Sequence, residues 1–344
     1  MNKKRKRILF VYPIFSTFVK ADYEILSENF DVVKYQYHHK KSVLNHLLEQ
    51  IKFFFFLVKN ISAVDAVFIW FADYHSFLPI LFAKIFNKKS FLVLGGYDVT
   101  FLPKFNYGSF NNPLRAFCAR YSLNNATLNL AVAENIKRDA EERASKAKTK
   151  VLYTGYDARK FTYDEQTERS GVLSVLGAYT KQRLYIKGAD LLAATAKKLK
   201  DVTFTLVAID EKLFAEEFGV IPNVNFIGNL PQEDLAKLYA QTSVYAQFSL
   251  REGLPNSVCE AMLCGAIPVG TNVGGIPTAI GECGYLIDER DANAAAEAIT
   301  AALNAPNEMR ICARERIIEN FPFERREKEL TKLITKYLNN EKVQ

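Results

Sequence analysis

Residues 252–269 read Glu252-Gly-Leu-Pro-Asn-Ser-Val-Cys-Glu260-Ala-Met-Leu-Cys-Gly265-Ala-Ile-Pro268-Val269. The β-branched and aromatic run Val244–Phe248 just before it reads as a strand, and Ser249-Leu-Arg-Glu-Gly as the turn leaving it. Pro255 suits the first turn of a helix, where its missing N–H costs nothing. The helix is expected over 256–264. Gly265 ends it, because glycine adopts the left-handed conformation that follows many helices. Strand Ile267–Gly270 comes next. The amino end of this helix offers backbone N–H groups at Asn256, Ser257 and their neighbours, an anion site suited to a diphosphate. Glu252 on the loop and Glu260 within the helix flank that site. Like charges repel, so the two carboxylates do not serve the anion. They suit the hydroxyls of a sugar or a ribose, or they are simply solvated.

The same rhythm extends outward in both directions. Arg7–Tyr12, Val32–Tyr35, Ala66–Phe71, Phe91–Leu94, Leu128–Ala133 and Val151–Tyr153 read as strands, with helical stretches such as His46–Ile61 and Ser76–Phe86 between them. A second series follows: Gly171–Leu176, Phe204–Ala208, Asn225–Ile227 and the two strands already given, with helices at Ala189–Leu199, Gln232–Gln241 and Asp291–Leu303. Alternation of this kind implies parallel sheets covered by helices. At about 100–200 residues per domain, 344 residues make two domains. The polar segment Asp164–Ser170 reads as the linker. The expected organisation is α/β, with a Rossmann-like domain over 1–163, a second over 164–321, a cleft between them, and a closing helix over 322–344 that packs back on the first.

Composition narrows the function classes. Hydrophobic residues make up 49% and charged residues 24%, which excludes disorder for most of the chain. No apolar run approaches the ~20 residues that span a bilayer. Lys3–Arg7 followed by Ile8–Pro13 mimics a signal peptide, but the run is short, is broken by Pro13 and lacks a small-residue cleavage site. The five cysteines form no Cys-x-x-Cys pair, are too sparse for a disulfide scaffold and fit a reducing cytosol. Residues 1–163 carry 25 Lys+Arg against 13 Asp+Glu, a balance of +12, whereas 164–344 carry 20 against 25, a balance of −5. The first half therefore either faces something anionic or has a merely solvated basic surface. Phe53-Phe54-Phe55-Phe56 lies in that half, on a helix that is either buried core or turned to a membrane. The basic residues are dispersed and no nucleic-acid module is present. No His/Cys cluster has metal-ligand spacing, and no Asp-x-Asp triplet, Gly-x-Ser-x-Gly or Walker loop occurs. His75 reads as a polar residue at a helix start.

The 252–269 stretch closely resembles the signature of family-4 glycosyltransferases, retaining enzymes of the GT-B fold that use nucleotide-sugar donors. Other segments agree in order: Gly155-Tyr-Asp157 with Phe161, Gly177 through Lys187-Gly188-Ala-Asp190, Asn225-Phe-Ile-Gly228-Asn229-Leu230-Pro231 with Leu235 and Tyr239, Asn272-Val-Gly-Gly-Ile-Pro277, and the closing helix Phe321–Leu338. The resemblance implies that Glu260 holds ribose hydroxyls and that Glu252 binds the donor sugar. It implies that the backbone of Gly253, Leu254, Pro255, Asn256 and Ser257 meets sugar and diphosphate, and that Lys187, with Gly188 beside it, neutralises the diphosphate as the leaving group departs. Gly228, Asn229 and Leu230 fall on the nucleoside side. No metal or other cofactor is implied. The partners implied are a nucleotide sugar and a glycan or lipid-linked acceptor; the basic first half and the Phe53–Phe56 helix add an expected peripheral contact of a cytoplasmic protein at the inner membrane face.

Four departures stand out. The family's Gly-Arg is Gly177-Ala178 here; Lys181 or Arg183 of the same loop is the substitute, or both are solvated cations. The family's histidine after the fourth strand is Gly95, in Gly95-Gly96-Tyr97-Asp98. Those four residues are expected at the acceptor side, with Asp98 either touching a substrate hydroxyl as a catalytic group or closing a turn. A glycine turn after Phe204–Ala208 is replaced by Ile209-Asp210-Glu211, and the first loop, Ile14–Val19, lacks a glycine pair. Two rivals to a glycosyltransferase stay open at this level: a nucleotide-sugar epimerase of the same architecture, and a non-catalytic nucleotide-sugar-binding subunit.

Overall fold

A computed structural model describes residues 5–39 and 42–341; Lys3 and Lys4 of the basic lead-in lie outside the described residues. The chain forms two compact units. The first runs to Tyr153 and resumes at Glu324. Its strands are β1 (Arg7–Tyr12), β2 (Asp31–Gln36), β3 (Ala66–Trp70), β4 (Lys89–Leu94), β5 (Leu128–Ala131) and β6 (Thr149–Val151). They form one sheet in the order β2-β1-β3-β4-β5-β6, parallel throughout. Helices cover both faces, so the central strand β3 (Ala-Val-Phe-Ile-Trp) is apolar and buried at every position rather than alternating.

The second unit spans Thr154–Phe323. Its strands are β7 (Ser170–Ala178), β8 (Phe204–Ile209), β9 (Val224–Ile227), β10 (Thr242–Gln247), β11 (Ile267–Thr271) and β12 (Tyr285–Ile287). The order is β12-β11-β10-β7-β8-β9, again all parallel. Val172, Leu206, Val244 and Ile267 fill the sheet side of its core, against Leu192, Ala196 and Ile299 of the covering helices. The chain steps outward from β7 through β8 to β9, then returns to lay β10 on the other side of β7. The loops after β7 and β10 therefore diverge at the carboxyl edge between two adjacent strands, the place where open parallel sheets bind ligands.

The division falls ten residues before the expected linker. The Tyr156 N–H donates to the Phe321 carbonyl (2.9 Å), the Phe323 N–H donates to the Tyr156 carbonyl (3.1 Å), and Arg314 donates to the Phe161 carbonyl (2.6 Å). These bonds attach residues 154–163 to the second unit. The last helix, Phe323–Leu338, turns Arg326 onto the buried Asp22, with both carboxylate oxygens engaged at 2.6 and 2.7 Å. The same guanidinium donates to the carbonyls of Leu152 and Tyr153 at 2.9 and 2.7 Å.

Three features depart from expectation. The Ile209-Asp210-Glu211 segment opens a helix, Glu211–Phe218, whose first turn is capped by Asp210 Oδ1 accepting from the Leu213 N–H (3.0 Å). The edge strand β12 has three residues, too few for a periodicity to register. Cys283 and Cys312 are joined as a disulfide with Cα atoms 5.4 Å apart, in place of the reduced set expected. It ties the helix Asn307–Asn320 to the segment before β12. No helix among the described residues is long and apolar enough to cross a membrane.

Candidate active site

The helix of the opening stretch runs Asn256–Leu263, with Pro255 in the capping position rather than in the first turn. Proline has no side-chain oxygen, so the first turn receives no side-chain cap from it. Gly265 follows the helix at φ +82°, as expected of a glycine there. The loop before the helix is pressed against the backbone of the next loop. A Cβ on Gly274 (φ +59°) would stand 2.2 Å from the Glu252 carbonyl oxygen, and one on Gly275 would stand 2.1 Å from that of Gly253. The glycine pair after β11 thus exists to let the 252–254 backbone approach.

Lys187 and Glu252 meet at this edge. Their Nζ–Oε1 distance is 2.6 Å, and both side chains are largely sheltered. Lys187 ends the helix Lys181–Ile186 that follows β7, and Gly188 next to it adopts φ +79°. A Cβ there would overlap the Phe248 carbonyl oxygen at 2.0 Å, so the lysine is aimed by direct backbone packing between the two loops. The Leu250 N–H donates to the Ile186 carbonyl (2.8 Å) and locks the pair together. Behind Glu252 lies a polar network that sequence reasoning missed. Glu252 Oε1 also accepts from Ser249 Oγ (2.7 Å) and Gln247 Nε2 (3.1 Å). Gln247 Oε1 in turn accepts from Tyr245 and Ser257 hydroxyls at 3.3 and 3.4 Å. The available signal was Gln247 itself, a large amide directly after the apolar Val244-Tyr245-Ala246.

Glu260 is buried, with Gln232 donating to Oε1 (3.0 Å) and the Tyr239 hydroxyl to Oε2 (3.4 Å). Burial raises its pKa from 4.5 to about 7, against the lowering effect of these two donors. Gln232 was not foreseen; Tyr239 was. Asn256 Oδ1 accepts from the hydroxyls of Tyr156 (2.7 Å) and Thr154 (3.3 Å). The Thr154–Tyr156 element therefore buttresses the helix start.

The other expected residues are distributed differently. Arg183 lies over Gly177, its Nη2 3.9 Å from where a Cβ would stand, and it stays exposed. Lys181 is drawn away to Glu217 (2.7 Å). Both candidate substitutes for the missing arginine stand on the helix Lys181–Ile186 rather than on a loop, and Arg183 is the one that reaches the end of β7 at Gly177. Asn229 accepts from the Tyr179 hydroxyl (2.7 Å), while Gly228 and Leu230 continue the same exposed loop after β9. In the first unit Asp98 is buried, and its carboxylate accepts from the N–H groups of Gly96 (2.7 Å), Ala72 (3.2 Å) and Gly95 (3.3 Å). It closes the turn that shapes Gly95, Gly96 and Tyr97, and desolvation raises its pKa to about 6. A Cβ on Gly95 would stand 2.4 Å from the Phe71 ring, so Phe71 occupies the space that a side chain at this position would enter. His75 is fully buried; Nε2 bonds to the Trp70 carbonyl (2.7 Å) and burial lowers its pKa to about 4.

Two six-stranded parallel sheets, each in its own α/β unit, make the GT-B fold. Residues 171–305, within the second unit, match the family model described as Glycosyl transferases group 1. The chain is 28% identical over 204 residues to a D-inositol 3-phosphate glycosyltransferase of Mycobacterium sp. (strain JLS), covering 53% of this chain and 46% of that protein. Over 158 residues it is 32% identical to a trehalose synthase of Pyrococcus horikoshii, covering 44% and 37%. The matched stretch thus spans about half the length of such curated relatives, or less. Among solved structures, sucrose-phosphate synthase of Thermosynechococcus elongatus superposes with a TM-score of 0.78 at 15% identity, covering 98% of this chain and 100% of that one. HepE of Anabaena, solved with UDP and glucose, gives 0.74 at 15% identity over 96% and 99%. WaaG, a glycosyltransferase involved in lipopolysaccharide biosynthesis, gives 0.68 at 15% over 95% and 99%.

Proposed function

We propose that the chain is a retaining glycosyltransferase that moves a hexosyl group from a nucleoside-diphosphate sugar to a hydroxyl of a glycan acceptor. The carrying observation is the convergence at the β7/β10 edge of Lys187, Glu252 and the amino end of Asn256–Leu263, with Glu260 one turn further along the helix. The donor diphosphate lies against the amides of Asn256 and Ser257 and exchanges ion-pair contact with Lys187. As the bond from the anomeric carbon to the diphosphate oxygen breaks, negative charge collects on the leaving group. The lysine and the helix dipole stabilise it there, with no metal assigned to the task. Glu252 holds Lys187 in place and accepts from a donor-sugar hydroxyl. Glu260 accepts from the ribose. Arg183 adds a second cation from the helix that follows β7. Asp98 acts by shaping the acceptor-side turn rather than by touching substrate.

The acceptor is read as lipid-linked, for cell-surface polysaccharide or glycolipid synthesis, with the protein cytoplasmic and peripheral at the inner membrane face. The basic balance of residues 1–163 supports this, as does likeness to proteins named O-antigen chain mannosyltransferase B and WaaG. The absence of the usual Gly-Arg arginine at Ala178 and the histidine at Gly95 favours one second reading, a subunit that binds nucleotide sugar without transferring it. Product analysis with a panel of nucleoside-diphosphate sugars and a membrane lipid extract decides. A new glycosidic bond is expected. Donor binding with no transfer supports the second reading, and an isomerised donor supports an epimerase.

A further inference from the structure

The helix Val43–Asn60 has an unusual outer face. Val43, Leu47, Leu48, Ile51, Phe55 and Val58 recur at helical spacing and are all exposed, Val43 by 86% and Phe55 by 65%. The opposite side seats Phe53 and Leu57 in the core. The helix's only carboxylate, Glu49, is turned inward beneath the Tyr35 hydroxyl (3.4 Å), which leaves Lys52 and Lys59 as the charged side chains in solvent. From Asp31 to Asp65 the intervening sequence holds five lysines and one acid. Exposed Ile85 and Phe86 extend the apolar surface through Phe82, whose ring lies 5.4 Å from that of Phe54 and 6.1 Å from that of Phe86. An apolar stripe flanked by cations and free of outward carboxylates has the composition of a helix lying in an anionic lipid surface.

A cavity of about 540 Å³ opens at the start of this stripe, sharing Val43 with it and His46 with the same helix. The rest of its lining includes Tyr74, Tyr97, Asn112 and Arg115. The Arg115 guanidinium lies 5.4 and 5.5 Å from the two tyrosine rings and donates to the Tyr97 hydroxyl (2.9 Å). Asp73 neutralises it through two bonds of 3.0 and 2.7 Å. Ring faces with amide, hydroxyl and guanidinium groups suit a saccharide. The neutralised arginine disfavours a bare anion as the occupant.

We propose that the outer face of Val43–Asn60 rests on an anionic bilayer and holds the adjoining cavity at headgroup depth, where it receives the hydroxyl-rich head of a lipid-borne acceptor. The acceptor part rests on the function proposed above. The test is flotation of the full chain with vesicles of phosphatidylglycerol and phosphatidylcholine (3:7). Wild type is expected to float at low salt, to lose binding about tenfold or more in pure phosphatidylcholine or at high salt, and to lose it equally in L48E/F55E. A fluorophore at F55C is expected to be quenched by tail-labelled nitroxide lipid, and one at N106C, on the cavity rim, by headgroup-labelled lipid. Three outcomes overturn the proposal: undiminished flotation of L48E/F55E, a wild-type dimer that this double variant dissociates, or an unquenched N106C probe. Nucleoside-diphosphate binding, measured in solution on the same proteins, reads the donor site separately, so failure of the transferase reading and failure of the docking surface are told apart.

Discussion

Glu260 is the residue at which burial and chemistry pull in opposite directions. Its carboxyl titrates at about 7, well above the ordinary 4.5, because desolvation outweighs the donors Gln232 and Tyr239. The raised value means that its contribution to stability is fully present below 4.5 and is lost as pH rises through 7. Its capacity to accept from ribose hydroxyls follows the opposite course and grows as the proton leaves. Nucleoside-diphosphate affinity is therefore expected to rise between pH 6 and 8, with E260Q removing the part due to this carboxyl and leaving the ligand's own phosphate titration; calorimetric titration at several pH values checks it. K187A is expected to lower kcat by about 10²–10³, the usual loss when one stabilising group for developing charge is removed. Near-normal turnover of this variant would remove Lys187 from the leaving-group side. Glu252 and Glu260 stood out in the sequence as two carboxylates flanking a helix start, and Lys187 was singled out only through the family resemblance. The Gln247–Ser249 support was not, because a buried hydrogen-bond network depends on three-dimensional proximity that no spacing encodes.

At the scale of elements, the site depends on two loops being pressed together. G188A is expected to force a β-carbon into the Phe248 carbonyl at a left-handed position, costing about 1–3 kcal/mol from backbone strain alone and more from the overlap. G219A has the same φ of +79° but open space around it, so it isolates the strain from the overlap. Urea midpoints of the two variants check the difference, and only G188A is expected to weaken nucleoside-diphosphate binding as well. A buried strand such as β3 was readable from its apolar run alone, since both faces of a parallel sheet are covered. The helix Glu211–Phe218 was not, because its evidence is a single capping aspartate in a segment read against a family pattern. The Phe53–Phe56 run divides between the two environments considered for it. Phe53 is core and Phe55 is surface, as a helical period of 3.6 residues requires of neighbours two apart.

For the molecule as a whole, the notable constraint is the closing helix. Arg326 and Asp22 lie 304 residues apart and form a buried pair in the first unit. Removing one partner strands the other charge, so D22N or R326M is expected to cost about 3–5 kcal/mol, read as a lower urea midpoint of the transition that reports on that unit. The sequence showed two parallel α/β units and a terminal helix. The observed division precedes Thr154 rather than the 164–170 segment: residues 154–163 look like a continuation of the first series, but Tyr156 and Phe161 find partners near residues 314–323. The central claim is that the amino end of Asn256–Leu263, with Lys187, grips a diphosphate while Glu260 holds the pentose. Titration of the common nucleoside diphosphates into wild type, K187A and E260A tests it most directly. At least one diphosphate is expected to bind wild type and to lose about tenfold or more in affinity in each variant. Binding that is unchanged in both variants, or absent from wild type for every nucleoside diphosphate, would contradict the account.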